Sequence, residues 1–292
     1  MTVVVALIGR NLRLFFRDRM NVFFSLLSGI VLFLLYTLFL ARLQTDGLKE
    51  TFPNATATEV NAFVDSWMFS GIILLTTITT GLGALSVLVE DRQSGRFADF
   101  LVSPIRRGQL VLGYLVSAIV VALVMSGIVL TLSILYLGFV DQLWLAPGQL
   151  LHIVGLTALC CAGFTALSSL VTSFVRSASA FSAMNTVVGT VLGFIAGAYI
   201  PVGSLPAGVA SAVNTLPFAQ AAMLLRRPFT DESLTTLTGD VDDASQALRE
   251  FYGIDIFIGD VVIPAWVAYA VMAAMAVGFA TLSAGRIRLL IR

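Results

Sequence analysis

Long apolar runs broken by short charged patches set the pattern of this chain. Ser66–Val89 is 24 residues without a charge, Gly108–Val140 is 33, and Ser177–Leu225 is 49. About 20 residues of helix cross a ~30 Å hydrocarbon core. The runs therefore predict spans at Met20–Ala41, Trp67–Val89, Gln109–Leu137, Leu150–Val175, Ser177–Ile200 and Val261–Gly285. The 49-residue run needs separate treatment, because Pro201, Gly203, Pro206, Gly208 and Pro217 fall within 17 residues. Proline inside a helix removes a donor and clashes with the preceding turn. The longest uninterrupted piece there, Ala207–Leu216, is about ten residues and too short to span. Residues 201–225 are thus expected to form a re-entrant helical hairpin, followed by a hydrophilic, acidic loop over 226–260. The fold predicted is an all-α polytopic membrane protein of six spans, one transmembrane domain over 1–292.

Composition agrees with the pattern: 58% of the 292 residues are hydrophobic and 12% charged, against about 25% charged in soluble domains. Mean hydropathy is +0.95. A transmembrane barrel would instead show roughly ten-residue alternating strands. The first apolar run is too long for a signal peptide and lacks a small-residue cleavage site, so it is expected to remain.

Charge then orients the spans. With six spans and an inside N-terminus, twelve of the 17 Lys and Arg fall on the inner face and five on the outer. Thirteen of the 17 acidic residues fall outside, so a net charge of zero hides faces of +8 and −8. That is the asymmetry of the positive-inside rule. A seventh span would send Arg286, Arg288 and Arg292 outside. Residues 1–19 form an amphipathic helix: Arg10, Arg13 and Arg17 fall within an arc of about 60°, opposite Val4, Ile8, Leu12 and Phe16. Such a helix lies at the inner headgroup boundary, its arginines toward lipid phosphates or a cytoplasmic partner. It equally anchors the first span.

Two smaller signals carry little chemistry. Cys160 and Cys161 are adjacent on a helix, about 100° apart, and read as small buried hydrophobes. Asn54-Ala55-Thr56 matches a glycosylation sequon, read as a chance match.

Residues 90–110, EDRQSGRFADFLVSPIRRGQL, carry seven charges between two greasy runs. Phe97, Phe100 and Leu101 share one side of a short helix, and Ser103-Pro104 has the form of an N-cap and first-turn proline that restart a helix into span three. A helix held along the membrane between two spans is a lever on both. This segment, with Glu90 at the end of span two and a Gly-containing entry to span three, resembles the coupling-helix signature of type-2 permeases of ATP-binding cassette (ABC) transporters. The amphipathic N-terminus, six spans and proline-broken YIPVGSLPAGVASAVNTLPFAQAAMLLRR segment before the last span match the same family. The resemblance covers essentially the whole chain. The acidic insert 231–260 is longer than in many members.

The resemblance implies that Glu90, Arg92, Gly95, Phe97, Phe100, Leu101 and Pro104 dock on a separate nucleotide-binding subunit. The alternative is that the aromatic face rests in the headgroups. ATP and Mg would bind that partner, since the chain has no G-x-x-x-x-G-K-[ST] loop. It implies a second permease chain, contact with lipid, and no nucleic acid. It also implies a multi-pass protein of a bacterial inner membrane with both termini cytoplasmic, working in export. Spans two and five face the pair axis in such permeases. Thr76, Thr77, Thr79 and Thr80 of span two, with Phe181, Asn185, Thr186, Thr190 and Phe194 of span five, are therefore candidate path-lining residues. Hydroxyl and small residues serve helix packing equally well. Hydroxyls beside aromatics suit a lipophilic or amphiphilic cargo: a drug, lipid or lipid-linked glycan. Two rival readings are weaker. An ion-coupled transporter calls for a carboxylate inside the membrane, and no charged residue lies well within a span as drawn. An intramembrane hydrolase calls for a catalytic cluster, and the single His152 is in no H-E-x-x-H pattern.

Overall fold

The computed structural model describes residues 2–97, 105–239, 241–258 and 261–290. Among the described residues six helices are long and apolar enough to cross a membrane, and the strands are confined to one two-stranded ribbon. Helix α1 (Thr2–Arg17) lies before the first span. Asp18 then accepts from the Met20 and Asn21 amides at 3.1 Å each, capping α2 (Arg19–Leu35). A π-helical turn, Tyr36–Leu40, carries α2 into α3 (Ala41–Thr51).

Helix α4 (Ala57–Ala84) is the hub of the bundle, with 94% of its most apolar stretch buried. It starts ten residues before the predicted span because Thr56 and Glu59 close a reciprocal capping box, Glu59 Oε2 taking the Thr56 amide at 2.7 Å. The sequon threonine is thus a helix cap. This earlier start also corrects the expectation of charge-free spans, since it brings Glu59 and Asp65 inside the helix. Helix α5 (Ser86–Gln93) extends α4 past a turn at Leu85.

Span three is α6 (Arg107–Phe139). Ile105 and Arg106 are not helical, and the Gln109 side chain accepts the Arg106 amide at 3.0 Å, so span three opens at Arg107 and not at the expected Ser103-Pro104 start. Ser103 and Pro104 themselves lie outside the described residues. Span four is α7 (Pro147–Thr172), with proline at its first position. Span five is α8 (Ala178–Ile195), shorter than predicted because the chain turns left-handed at Gly197. In lipid the hydrophobic effect does not drive helix association, so close packing and interhelical hydrogen bonds must. Gly29 of α2 faces Ile72 and Thr76, and Gly163 of α7 faces Met272 of α12 (Ala265–Leu290). Ser169 and Ser283 bond across the same pair at 2.6 Å.

The segment predicted as hairpin and loop is a folded cap. A 3-10 turn (Val202–Ser204) leads into α9 (Ala207–Asn214), then α10 (Pro217–Thr238) at 85° to it. Helix α10 runs through Pro228 well beyond Leu225, and α11 (Asp242–Phe251) follows, so much of the expected loop is helix. Leu224, Leu225, Phe229 and Leu234 of α10 are fully buried, which outweighs the one backbone bond Pro228 forfeits. Strands β1 (Phe257–Ile258) and β2 (Val261–Val262) pair antiparallel, which delays the last span to Ala265.

Candidate functional site: an ionic hub and an adjoining cavity

Helix α5 gathers the ends of four helices. The Asp91 carboxylate is fully buried and accepts from Arg10 through both oxygens (2.7 and 2.8 Å), from Arg96 at 3.0 Å and from the Tyr114 hydroxyl at 2.6 Å. One anion thus ties α1 and α6 to α5. Two guanidiniums and a phenol replace the water it gives up, which is the condition for burying a carboxylate. Contact with Asp91 pushes the Arg10 guanidinium further up from its ordinary pKa. Asn11 extends the network, donating to Ser117 at 3.2 Å.

The next two residues reach the other side. Arg92 donates to the Ser173 and Val175 carbonyls (3.3 and 3.1 Å) just past the end of α7, and Gln93 accepts the Ala178 amide at 2.9 Å at the start of α8. Leu7, Asn11 and Phe15 seat α1 on this end of the bundle, so Arg10 faces protein, while Arg13 and Arg17 are exposed.

The proposed docking residues separate in space. Glu90 points to a cavity, Arg92 clamps α7, and the chain turns at Ser94–Gly95, where Gly95 is exposed. Phe97 is half-buried, its ring edge-on to Tyr114 at 6.1 Å, and so does not stand free as the sequence suggested. Phe100, Leu101 and Pro104 lie outside the described residues.

Beside the hub, between α2, α4–α5 and α8, lies a cavity of about 560 Å³. Thr79, Phe181, Asn185, Thr186 and Thr190 line it, joined by Ser28, Phe24 and Tyr199. Thr76, Thr77 and Thr80 do not: all three are buried and donate to carbonyls of their own helix. Phe194 is exposed and rests against Tyr199 at 4.8 Å.

At the opposite end, Arg226 is the feature that sequence reasoning missed. It is 2% exposed and donates to the Ala196, Gly197 and Gly253 carbonyls at 2.9, 2.6 and 3.3 Å. Its guanidinium also lies 5.3 Å from the Trp67 ring. The negative end of α8 and an aromatic face therefore hold the cation without a carboxylate. Gly197 and Gly253 have φ of +63° and +62°, and a Cβ on Gly253 would sit 2.8 Å from the guanidinium. Trp67 in turn donates to the Tyr252 carbonyl at 2.8 Å, and burial pushes the Tyr252 phenol up. Burial pushes the Asp141 carboxyl above the usual carboxylate range, with Asp65 close by, and Asp141 Oδ2 has no hydrogen-bond partner among the described residues.

A six-span bundle, an ionic hub at one end, a folded cap at the other and a lateral polar cavity between them define a membrane permease. A family model described as ABC-2 type transporter matches residues 2–227, and the chain belongs to that family. The match runs from α1 to Arg227, so it includes the hub and the cavity. No curated protein matches the chain. The family implies association with an ABC ATP-binding subunit.

Proposed function

We propose that the chain is the permease subunit of an ABC exporter, that two copies form the substrate path, and that a separate ATP-hydrolysing subunit drives it from the cytoplasm. ATP and Mg bind that partner. The observation that carries the reading is the hub: the eight residues of α5 hold α1, α6 and the adjoining ends of α7 and α8 through Asp91, Arg92 and Gln93. A force applied to the segment after Gln93 therefore reaches four helices at once. Residues 90–108 are the docking segment, with Gly95 and the stretch that includes Phe100, Leu101 and Pro104 offered to the partner. Phe97 belongs to its inner side, where its contact with Tyr114 transmits the movement to α6.

The cavity supports a path for a lipophilic or amphiphilic cargo, since hydroxyl residues line it together with Phe24 and Phe181. The charge split favours cytoplasmic termini and an outer cap in a bacterial inner membrane. The test is to purify the chain with an ABC ATPase encoded beside it. A stable complex whose hydrolysis rises with amphiphilic compounds supports the reading, and failure of every neighbouring ATPase to bind contradicts it.

A further inference from the structure

The cavity beside the hub differs from an ordinary apolar crevice in the sense of its hydrogen-bonding groups. Hydroxyl protons are spent on the backbone: Thr79 donates to Ser25, Thr186 to Ser182 and Thr190 to Thr186, at 2.9, 3.1 and 3.0 Å. The Asn21 amide donates to Ser86 at 3.0 Å. The lone pairs of Thr79, Thr186 and Thr190 remain as acceptors. Asn185 Oδ1 is shut off from solvent with no hydrogen-bond partner among the described residues. A buried acceptor left unmet costs about 1–3 kcal/mol, so this one is poised for a donor.

The charges have the same sense. Glu90 and Asp18 line the mouth of the cavity. Asp18 spends Oδ1 on the α2 amides. The Glu90 side chain makes no ion pair or hydrogen bond among the described residues. Of the nearby cations, Arg96 pairs with Asp91 while its charge also bears on Glu90, and Arg92 is bonded to the carbonyls after α7. No Arg or Lys lines the cavity. Ser28, Ser86, Ser182 and Tyr199 keep hydroxyls able to turn either way, and the Asn185 side-chain amide nitrogen is a further donor. Apolar surface from Phe24, Leu27, Val31 and Phe181 flanks this acceptor row.

We infer that the cavity binds an amphiphilic cation bearing N–H donors, a protonated primary or secondary amine on an apolar body. Its ammonium lies between Glu90 and Asp18, a further donor meets the Thr186 and Thr190 hydroxyl oxygens, and the apolar body lies along Phe24 and Phe181. A volume of about 560 Å³ suits a molecule of drug size. Anionic amphiphiles are excluded by the same two carboxylates. The inference names the cargo class for the permease reading and rests on that reading for transport, while the binding preference stands on the cavity alone.

The test uses the full chain in nanodiscs of zwitterionic lipid, titrated with a dansyl-labelled decylamine and with the matched dansyl-labelled decanol. The amine should bind the wild type about tenfold more tightly than the alcohol, as expected for gaining a charge-assisted hydrogen bond. Glu90→Gln should erase that preference by weakening the amine alone, and Glu90→Asp should keep most of it. Equal affinity for the two probes in the wild type, binding of neither, or a preference that survives Glu90→Gln overturns the inference. Hydrolysis by the partner ATPase, measured in parallel, tests the permease reading separately. Stimulation by both probes without a binding preference refutes the cation and keeps the permease. Amine-selective binding without any stimulation does the reverse.

Discussion

Asp91 and Arg226 are the two buried charges on which the ends of the molecule depend, and they are stabilised by opposite means. Asp91 has two cations, of which Arg96 is 53% and Arg10 29% exposed at the side chain. Losing the carboxylate leaves both guanidiniums within reach of water, so Asp91→Ala should cost about 1–3 kcal/mol, below the ~3–5 of a fully enclosed pair. Arg96→Ala should cost at most about 1 kcal/mol, as an exposed pair does. Melting temperatures in detergent should fall in the order Asp91→Ala, Arg10→Ala, Arg96→Ala. A drop for Arg96→Ala equal to that for Asp91→Ala would refute the hub as drawn. At the cap, Gly253→Ala places a Cβ against the Arg226 guanidinium at positive φ and should destabilise by about 1–3 kcal/mol. The check is faster proteolysis at the cap, with no such change for Gly208→Ala, where a Cβ meets nothing within 4 Å. Neither charge was legible in the chain. Glu90 and Asp91 differ by one step around a helix, and no spacing says which faces inward. Arg226 and Arg227 read alike as loop cations until the fold buries one and pairs the other with Asp255.

Among the elements, the spans were legible because an apolar helix must be about 20 residues to cross, and charge marks where it stops. Their ends were not, since these depend on caps: the Thr56–Glu59 box lengthens α4, Gly197 shortens α8, and the β-ribbon delays α12. The helical residues beyond Leu225 in α10, and all of α11, were missed because Pro228 and the acidic residues read as loop, while the apolar residues of α10 are buried only once it packs on the bundle. The raised Asp141 carboxyl makes this end sensitive to pH. An ordinary Asp ionises near 3.8, and burial holds Asp141 above that, so its protonated form is favoured in the fold. The stabilisation is complete below about pH 3.8 and is lost as pH rises through the raised value. Thermal stability should therefore fall as pH rises above about 4, and Asp141→Asn should make that fall shallower. An unchanged slope in the variant would remove Asp141 as its cause. Just after α5, Phe97→Leu should be tolerated, whereas Phe97→Glu should loosen the contact with Tyr114 and lower stability as well as the proposed coupling. Intact stability in Phe97→Glu would mean the ring does not pack inward in the membrane.

At the scale of the whole molecule, the account describes a bundle moved from one end. Helix α5 is bonded to four helices, the cavity lies directly beside it, and the cap closes the far end on Arg226. The order of the membrane-spanning elements was readable from the chain. The sharing of the α5 residues between clamp and cavity was not, because it depends on which way each side chain of one short helix points. Arg92 separates clamping from docking most cleanly, since its two bonds go to carbonyls beyond α7 and it touches none of the Asp91 network. The decisive measurement is cargo-stimulated ATP hydrolysis by the permease and its ATPase reconstituted together, wild type against Arg92→Ala. The account predicts no hydrolysis by the permease alone, stimulation in the wild-type pair, and an Arg92→Ala pair that assembles yet loses most of that stimulation. Hydrolysis by the permease alone, or full stimulation with Arg92→Ala, would contradict it.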